Sequence, residues 1–117
     1  MIQFYGYDKC GTCRKAEKVL TAKNVRFEKI DITQKPPAKS VLLAILKSGE
    51  YQLKELFNKS GEMYRALNMK EKIRKLGEGE LVDLLAQNGR LVKRPIITDG
   101  KKATVGFDEE KLKKTWA

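Results

Sequence analysis

Two cysteines stand three residues apart in the run Cys10-Gly11-Thr12-Cys13. The residues just before them, 2–7, are rich in β-branched and aromatic types and predict a strand. Those from 11 to 23 predict a helix, with Cys13, Ala16, Val19 and Leu20 on one apolar face. A C-x-x-C between a strand and a helix is the context in which that spacing points to redox chemistry. The free N–H groups and dipole of a helix N-terminus favour a thiolate at Cys10, and Lys9 and Arg14 add positive charge nearby. Only the thiolate attacks a disulfide or an oxidised centre. Cys13 can reach back to Cys10 and resolve the product as an internal disulfide. Gly11 is expected to permit a tight backbone, and the N–H cluster it shares with Thr12 could hold an oxyanion. Two other readings stand beside this one. The pair could be inert core thiols, since Cys13 lies on the apolar face. It could also be half of a zinc site shared between two chains.

A second constellation is Arg94-Pro95-Ile96-Ile97. A proline in a strand-like segment belongs at an edge, a bulge or a cis turn. Arg94 beside it could present its guanidinium to an oxyanion, or be a surface arginine before an edge strand. The chain contains no His. That excludes a Ser-His-Asp triad, a Cys-His pair and any imidazole metal ligand. Two cysteines cannot fill an all-Cys zinc site alone, so no metal is expected within the chain.

The elements that position these residues follow a simple order. A second strand is expected over 25–32, completing a β-α-β unit with parallel strands and a right-handed crossover. Lys35-Pro36-Pro37 then breaks the pattern. Short helices are expected at 40–47, near 53–57, at 63–67 and at 70–76, with Gly77 closing the last. A stronger one runs over 78–87, with Leu81, Leu84 and Leu85 on one side and Gly89 as its stop. Strand-like residues 91–92 and 96–98 lead into Asp99-Gly100, a turn signal, and a returning strand over 102–106. Asp108 is placed to cap a final helix. The reading is α/β: βαβ, a helical insertion over about 38–88, then ββα, in a single domain spanning 1–117.

Length and charge bound the rest. The 117 residues suffice for one domain with its own core, 41% of them hydrophobic. Lys and Arg exceed Asp and Glu by a net charge of +10. The basic residues are scattered and many adjoin acidic ones, as in Glu17-Lys18 and Glu71-Lys72. A solvated surface is therefore preferred to direct nucleic-acid binding, with an acidic protein partner or anionic substrate next. The longest apolar run, 41–46, is far short of the roughly 20 residues that span a bilayer, and the N-terminus has no signal-peptide pattern. A cytoplasmic protein without membrane contact is expected.

Taken together, Cys10-Gly11-Thr12-Cys13-Arg14-Lys15, Pro36-Pro37, Asn58-Lys59-Ser60-Gly61 with Tyr64-Arg65-Ala66-Leu67, Arg94-Pro95-Ile96-Ile97 and Val105-Gly106-Phe107 resemble the arsenate reductase-like family (ArsC, Spx, MgsR). The resemblance covers essentially the whole chain. It implies a thioredoxin-like four-stranded mixed sheet, with a cis Pro95 facing the cysteine loop. It implies an oxidoreductase in which Cys10 is the nucleophile, with Arg94 one of three arginines around an oxyanion. Asn58 and Phe107 stand where the other two would be. Each charged hydrogen bond contributes roughly 1.5–3 kcal/mol, so one arginine makes a weaker anion site than three. Cys13 matches the second cysteine of Spx-like redox switches, which bind the C-terminal domain of the RNA polymerase α-subunit. Gly11 matches a position in their interaction surface. The longer C-terminal segment of Spx is not expected beyond Trp116-Ala117. The resemblance implies no bound cofactor. An external thiol reductant (glutathione, glutaredoxin or thioredoxin) is expected, with an oxidised thiol or an oxyanion as substrate.

Overall fold

The computed structural model describes all residues, Met1–Ala117. They form two compact units: Met1–Asp31 with Arg94–Ala117, and Ile32–Lys93. No helix is long and apolar enough to cross a membrane.

The first unit holds a mixed four-stranded sheet of the thioredoxin-like type, in the order β2-β1-β3-β4. Strand β1 (Ile2–Gly6) is followed by helix α1 (Gly11–Ala22) and strand β2 (Phe27–Asp31). β1 and β2 pair in parallel, from Ile2 opposite Phe27 to Gly6 opposite Asp31. β3 (Ile96–Thr98) runs antiparallel to β1, and β4 (Ala103–Val105) antiparallel to β3. Phe4 and Ile97 are directly opposite one another. They share a buried cluster with Cys13, Ala16, Val19 and Leu20 of α1. Leu112 and Trp116 of the C-terminal helix, Glu109–Trp116, complete that cluster. Trp116 donates its indole N–H to Thr104 Oγ1 at 3.0 Å, which satisfies a buried polar atom and ties the helix to β4. Asp108 caps that helix as expected, accepting the Lys111 N–H at 3.1 Å.

The second unit is helical, numbered α2 (Lys39–Lys47), α3 (Glu62–Ala66), α4 (Met69–Lys75) and α5 (Glu78–Gln87). The C-terminal helix of the first unit is then α6. Two 3-10 turns, Leu53–Leu56 and Gly89–Leu91, complete the second unit. The core face of α5 carries Leu81, Val82 and Leu85, with Leu84 only half-buried.

Several edges differ from the sequence reading, each for a local reason. β2 starts at Phe27 because Asn24 takes a left-handed conformation (φ 58°) and the Val25 N–H bonds the Leu20 carbonyl at 3.0 Å. β4 starts at Ala103 because the Lys102 N–H is held by Asp99 Oδ1 at 2.9 Å. It ends at Val105 because Gly106 turns out of the strand at φ 78°. Gly77 does not close α4 in a left-handed conformation; it precedes α5 with φ −76°. Residues 91–92 make no strand, only an isolated bridge from Val92 to Phe57. Gly89 is required by close approach: a Cβ there would collide with the Ile32 carbonyl. Overpacking of this kind commonly costs about 1–3 kcal/mol. Gly89→Ala should therefore lower the denaturant midpoint clearly. An unchanged midpoint would contradict the packing described.

Candidate functional site

The site is built where β1 ends. Beyond Gly6 the chain turns through Tyr7, Asp8 and Lys9, and the Cys10 N–H closes the turn on the Tyr7 carbonyl at 3.0 Å. The Cys10 carbonyl accepts the Arg14 N–H at 3.1 Å, the first bond of α1. Cys10 is thus the residue just outside the helix, with extended backbone (φ −91°, ψ 119°). Its position aims the unsatisfied N–H groups of the first turn toward its side chain.

The two thiols are unbonded and differ sharply. Cys10 is partly exposed and Cys13 is fully buried. Burial pushes the Cys10 thiol up. Hydrogen bonds from Thr12, from the Cys13 side chain and from the Cys13 N–H, with the Arg94 charge, outweigh it and leave the pKa lowered. The Thr12 hydroxyl lies 3.0 Å from the sulfur. The side chain makes no full capping bond to the helix, yet the Cys13 N–H still favours the thiolate. Cys13 moves the other way, to about 12, pushed first by burial and then by its hydrogen bond with Cys10. Two thiols with divergent tendencies, one partly exposed and one buried, suit attack by the first and resolution by the second.

Arg14 donates its Nε–H to the Asp8 carbonyl at 2.9 Å and braces the loop. Arg94 is the cation that favours the thiolate of both cysteines. Its guanidinium carbon sits 5.7 Å from the centre of the Tyr7 ring. The Arg94–Pro95 peptide bond is cis. Pro95 is buried and its carbonyl accepts the Gly106 N–H at 2.9 Å. Gly11 is not needed for a tight backbone. It is the first residue of α1 without a positive φ, and a Cβ there would meet nothing within 4 Å. Phe107 packs against the apolar cluster of this unit. Asn58 belongs to the second unit, where its backbone N–H bonds the Leu91 carbonyl at 2.7 Å.

Three residues of this region were not singled out from the sequence. Gly6 leaves room first for the Phe4 ring, which a Cβ there would meet at 2.5 Å, and then for the Cys13 sulfur, at 3.3 Å. A glycine ending an aromatic strand was the available signal. Tyr7 holds Arg94. Lys29 bridges Asp8 at 2.6 Å and Glu17 at 3.1 Å, beside a cleft of about 360 Å³. Nothing local in the sequence brings those charges together.

The profile of the ArsC family matches residues 5–115. The chain belongs to the ArsC family. It is 47% identical over 116 residues to the Bacillus subtilis protein YusI, covering 99% of this chain and 98% of YusI. It is 28% identical to the global transcriptional regulator Spx of Streptococcus pyogenes, covering 97% of this chain and 83% of Spx. A Staphylococcus aureus protein solved by NMR is 41% identical, with a TM-score of 0.86 over 99% of this chain and 98% of that one. This ArsC-family chain thus carries a thioredoxin-like sheet and a CxxC pair, with roughly four-fifths of the length of Spx matched.

The geometry predicts selective labelling. At neutral pH iodoacetamide should modify Cys10 and leave Cys13 unmodified until the protein unfolds, as read by mass spectrometry. Thr12→Val should raise the pH midpoint of Cys10 alkylation by removing a hydrogen bond to the thiolate. Equal labelling of both cysteines in the native protein would contradict the burial difference.

Proposed function

We propose that this ArsC-family chain is a thiol-disulfide oxidoreductase. The observation that carries the reading is the contrast within the pair: Cys10 accessible with a lowered pKa, Cys13 buried with a raised one. The Cys10 thiolate attacks one sulfur of an oxidised substrate. A mixed disulfide forms and the other sulfur leaves as a thiolate. Cys13 then loses its proton and attacks Cys10, releasing the second substrate thiolate and closing the Cys10–Cys13 disulfide. Two electrons pass to the substrate. The charge and hydrogen bond of Cys10 help to hold the Cys13 proton. Once Cys10 is in a mixed disulfide both influences are removed, so Cys13 becomes a better nucleophile when it is needed. An external thiol (glutathione, glutaredoxin or thioredoxin) returns the two electrons. The free thiols of the resting pair suit the reducing cytoplasm.

The same loop supports an oxyanion group on the substrate. Thr12 and the open side of Gly11 border Cys10, and Arg94 supplies the charge, with Pro95 forming the wall. With Arg94 as its arginine and Phe107 packed into the apolar cluster, the loop makes arsenate a poor substrate beside a disulfide. Turnover with arsenate and with a generic disulfide, each with the three reductants, tests this. Cys13→Ser should accumulate a mixed disulfide at Cys10 and lose most turnover. Full turnover without Cys13 would overturn its resolving role.

The likeness to Spx favours one second reading, in which the dithiol is a switch and the chain binds the C-terminal domain of the RNA polymerase α-subunit. That reading predicts capture of the purified domain in one redox state and not the other. Absence of a complex in both states rejects it.

A further inference from the structure

The antiparallel register of β1 and β3 puts Tyr5 opposite Ile96. Two residues beyond each of them, after the ladder has ended, come Tyr7 and Arg94. There the Arg94 guanidinium sits over the Tyr7 ring at 5.7 Å from its centre, within the range of a cation–π contact. Tyr7 is also bound to the cysteine loop by its backbone. Its carbonyl accepts the Cys10 N–H at 3.0 Å, and its backbone makes a hydrogen bond to the Cys13 sulfur. One residue therefore touches both cysteines and the only arginine of the expected oxyanion set. A long arginine side chain has several rotatable bonds, and a half-buried one has alternatives in solvent.

We infer that Tyr7 is a positioning residue: its ring holds the Arg94 guanidinium beside the Cys10–Cys13 pair and so sets how strongly that charge favours the Cys10 thiolate. The inference rests on the reading of Cys10 as an activated nucleophile. Tyr7 itself touches no substrate. It acts through Arg94, with the aromatic face as the working part and the hydroxyl unnecessary. The titratable groups that act most on Cys10 are Cys13 on α1 and Arg94 before β3, and the charged Asp8, Lys9 and Arg14 adjoin it in the loop and first turn. Thr12 adds an uncharged hydrogen bond.

The test is the pH profile of Cys10, followed by alkylation rate and by thiolate ultraviolet absorbance, in the full chain. The variants are Tyr7→Ser, Tyr7→Phe, Arg94→Gln, and Tyr7→Ser combined with Arg94→Gln. Circular dichroism and melting check that each is folded. Tyr7→Ser should raise the midpoint, by no more than Arg94→Gln raises it, because the ring acts only through that guanidinium. Tyr7→Phe should restore the native midpoint. Tyr7→Ser should add nothing on the Arg94→Gln background. A midpoint unmoved by Tyr7→Ser but raised by Arg94→Gln overturns the role of Tyr7 and leaves the Cys10 reading intact. A midpoint raised equally by Tyr7→Phe, or raised further in the double variant, overturns action through the ring and Arg94. Should Tyr7→Ser fail to fold, a Tyr7→Phe midpoint at the native value supports the inference and a raised one overturns it. A wild-type midpoint in the ordinary thiol range overturns both the inference and the reading beneath it.

Discussion

A helix that begins at Gly11 leaves the N–H groups of its first turn without partners inside itself, and Cys10 is the residue just before it. In a chain without His, no imidazole can draw a proton from that sulfur. The activation of Cys10 depends on this placement, on the Thr12 hydroxyl and Cys13 beside it, and on one guanidinium. Other features of the first unit serve it. Gly6 leaves space for the Phe4 ring and the Cys13 sulfur, Arg14 braces the loop through the Asp8 carbonyl, and Lys29 ties Asp8 to Glu17.

The sheet explains why residues 84 positions apart in sequence, Cys10 and Arg94, act on one another. β1 leaves the sheet at the edge where β3 enters, because the two strands run antiparallel. The loop that follows β1 and the residues that precede β3 therefore meet. A parallel β3 would have placed Arg94 at the far end of β1. The same core that fixes β1 and α1, with Phe4, Ala16 and Leu20, also buries Cys13. One packing arrangement thus makes one thiol accessible and the other secluded.

Much of this was legible in the sequence because it is local. The strand–CxxC–helix order, the break at Lys35-Pro36-Pro37, the Asp108 cap and the strand signal at Ile96 rest on neighbouring residues. What was not legible depends on tertiary distance. Arg14 adjoins Cys13 in sequence yet faces the Asp8 carbonyl, while Arg94, remote in sequence, acts on both sulfurs. Gly77 and Gly89 both read as helix stops. The first precedes a helix, and the second is required by the Ile32 backbone passing against it. Gly11 read as a conformational need and proved to be ordinary helix beside open space.

The central claim is that the two thiols of one pair ionise far apart, Cys10 low and Cys13 near 12. The reduction potential of the Cys10–Cys13 couple, equilibrated against a thiol buffer across pH, reads this directly. Below the Cys10 pKa, two electrons enter with two protons and the potential falls by about 59 mV per pH unit. Above it one proton is taken up and the slope halves to about 30 mV. The account predicts that break below the ordinary thiol pKa of about 8.5, followed by a constant shallow slope up to the region near 12. A steep slope continuing past the ordinary thiol range, or a second break close after the first, would contradict it.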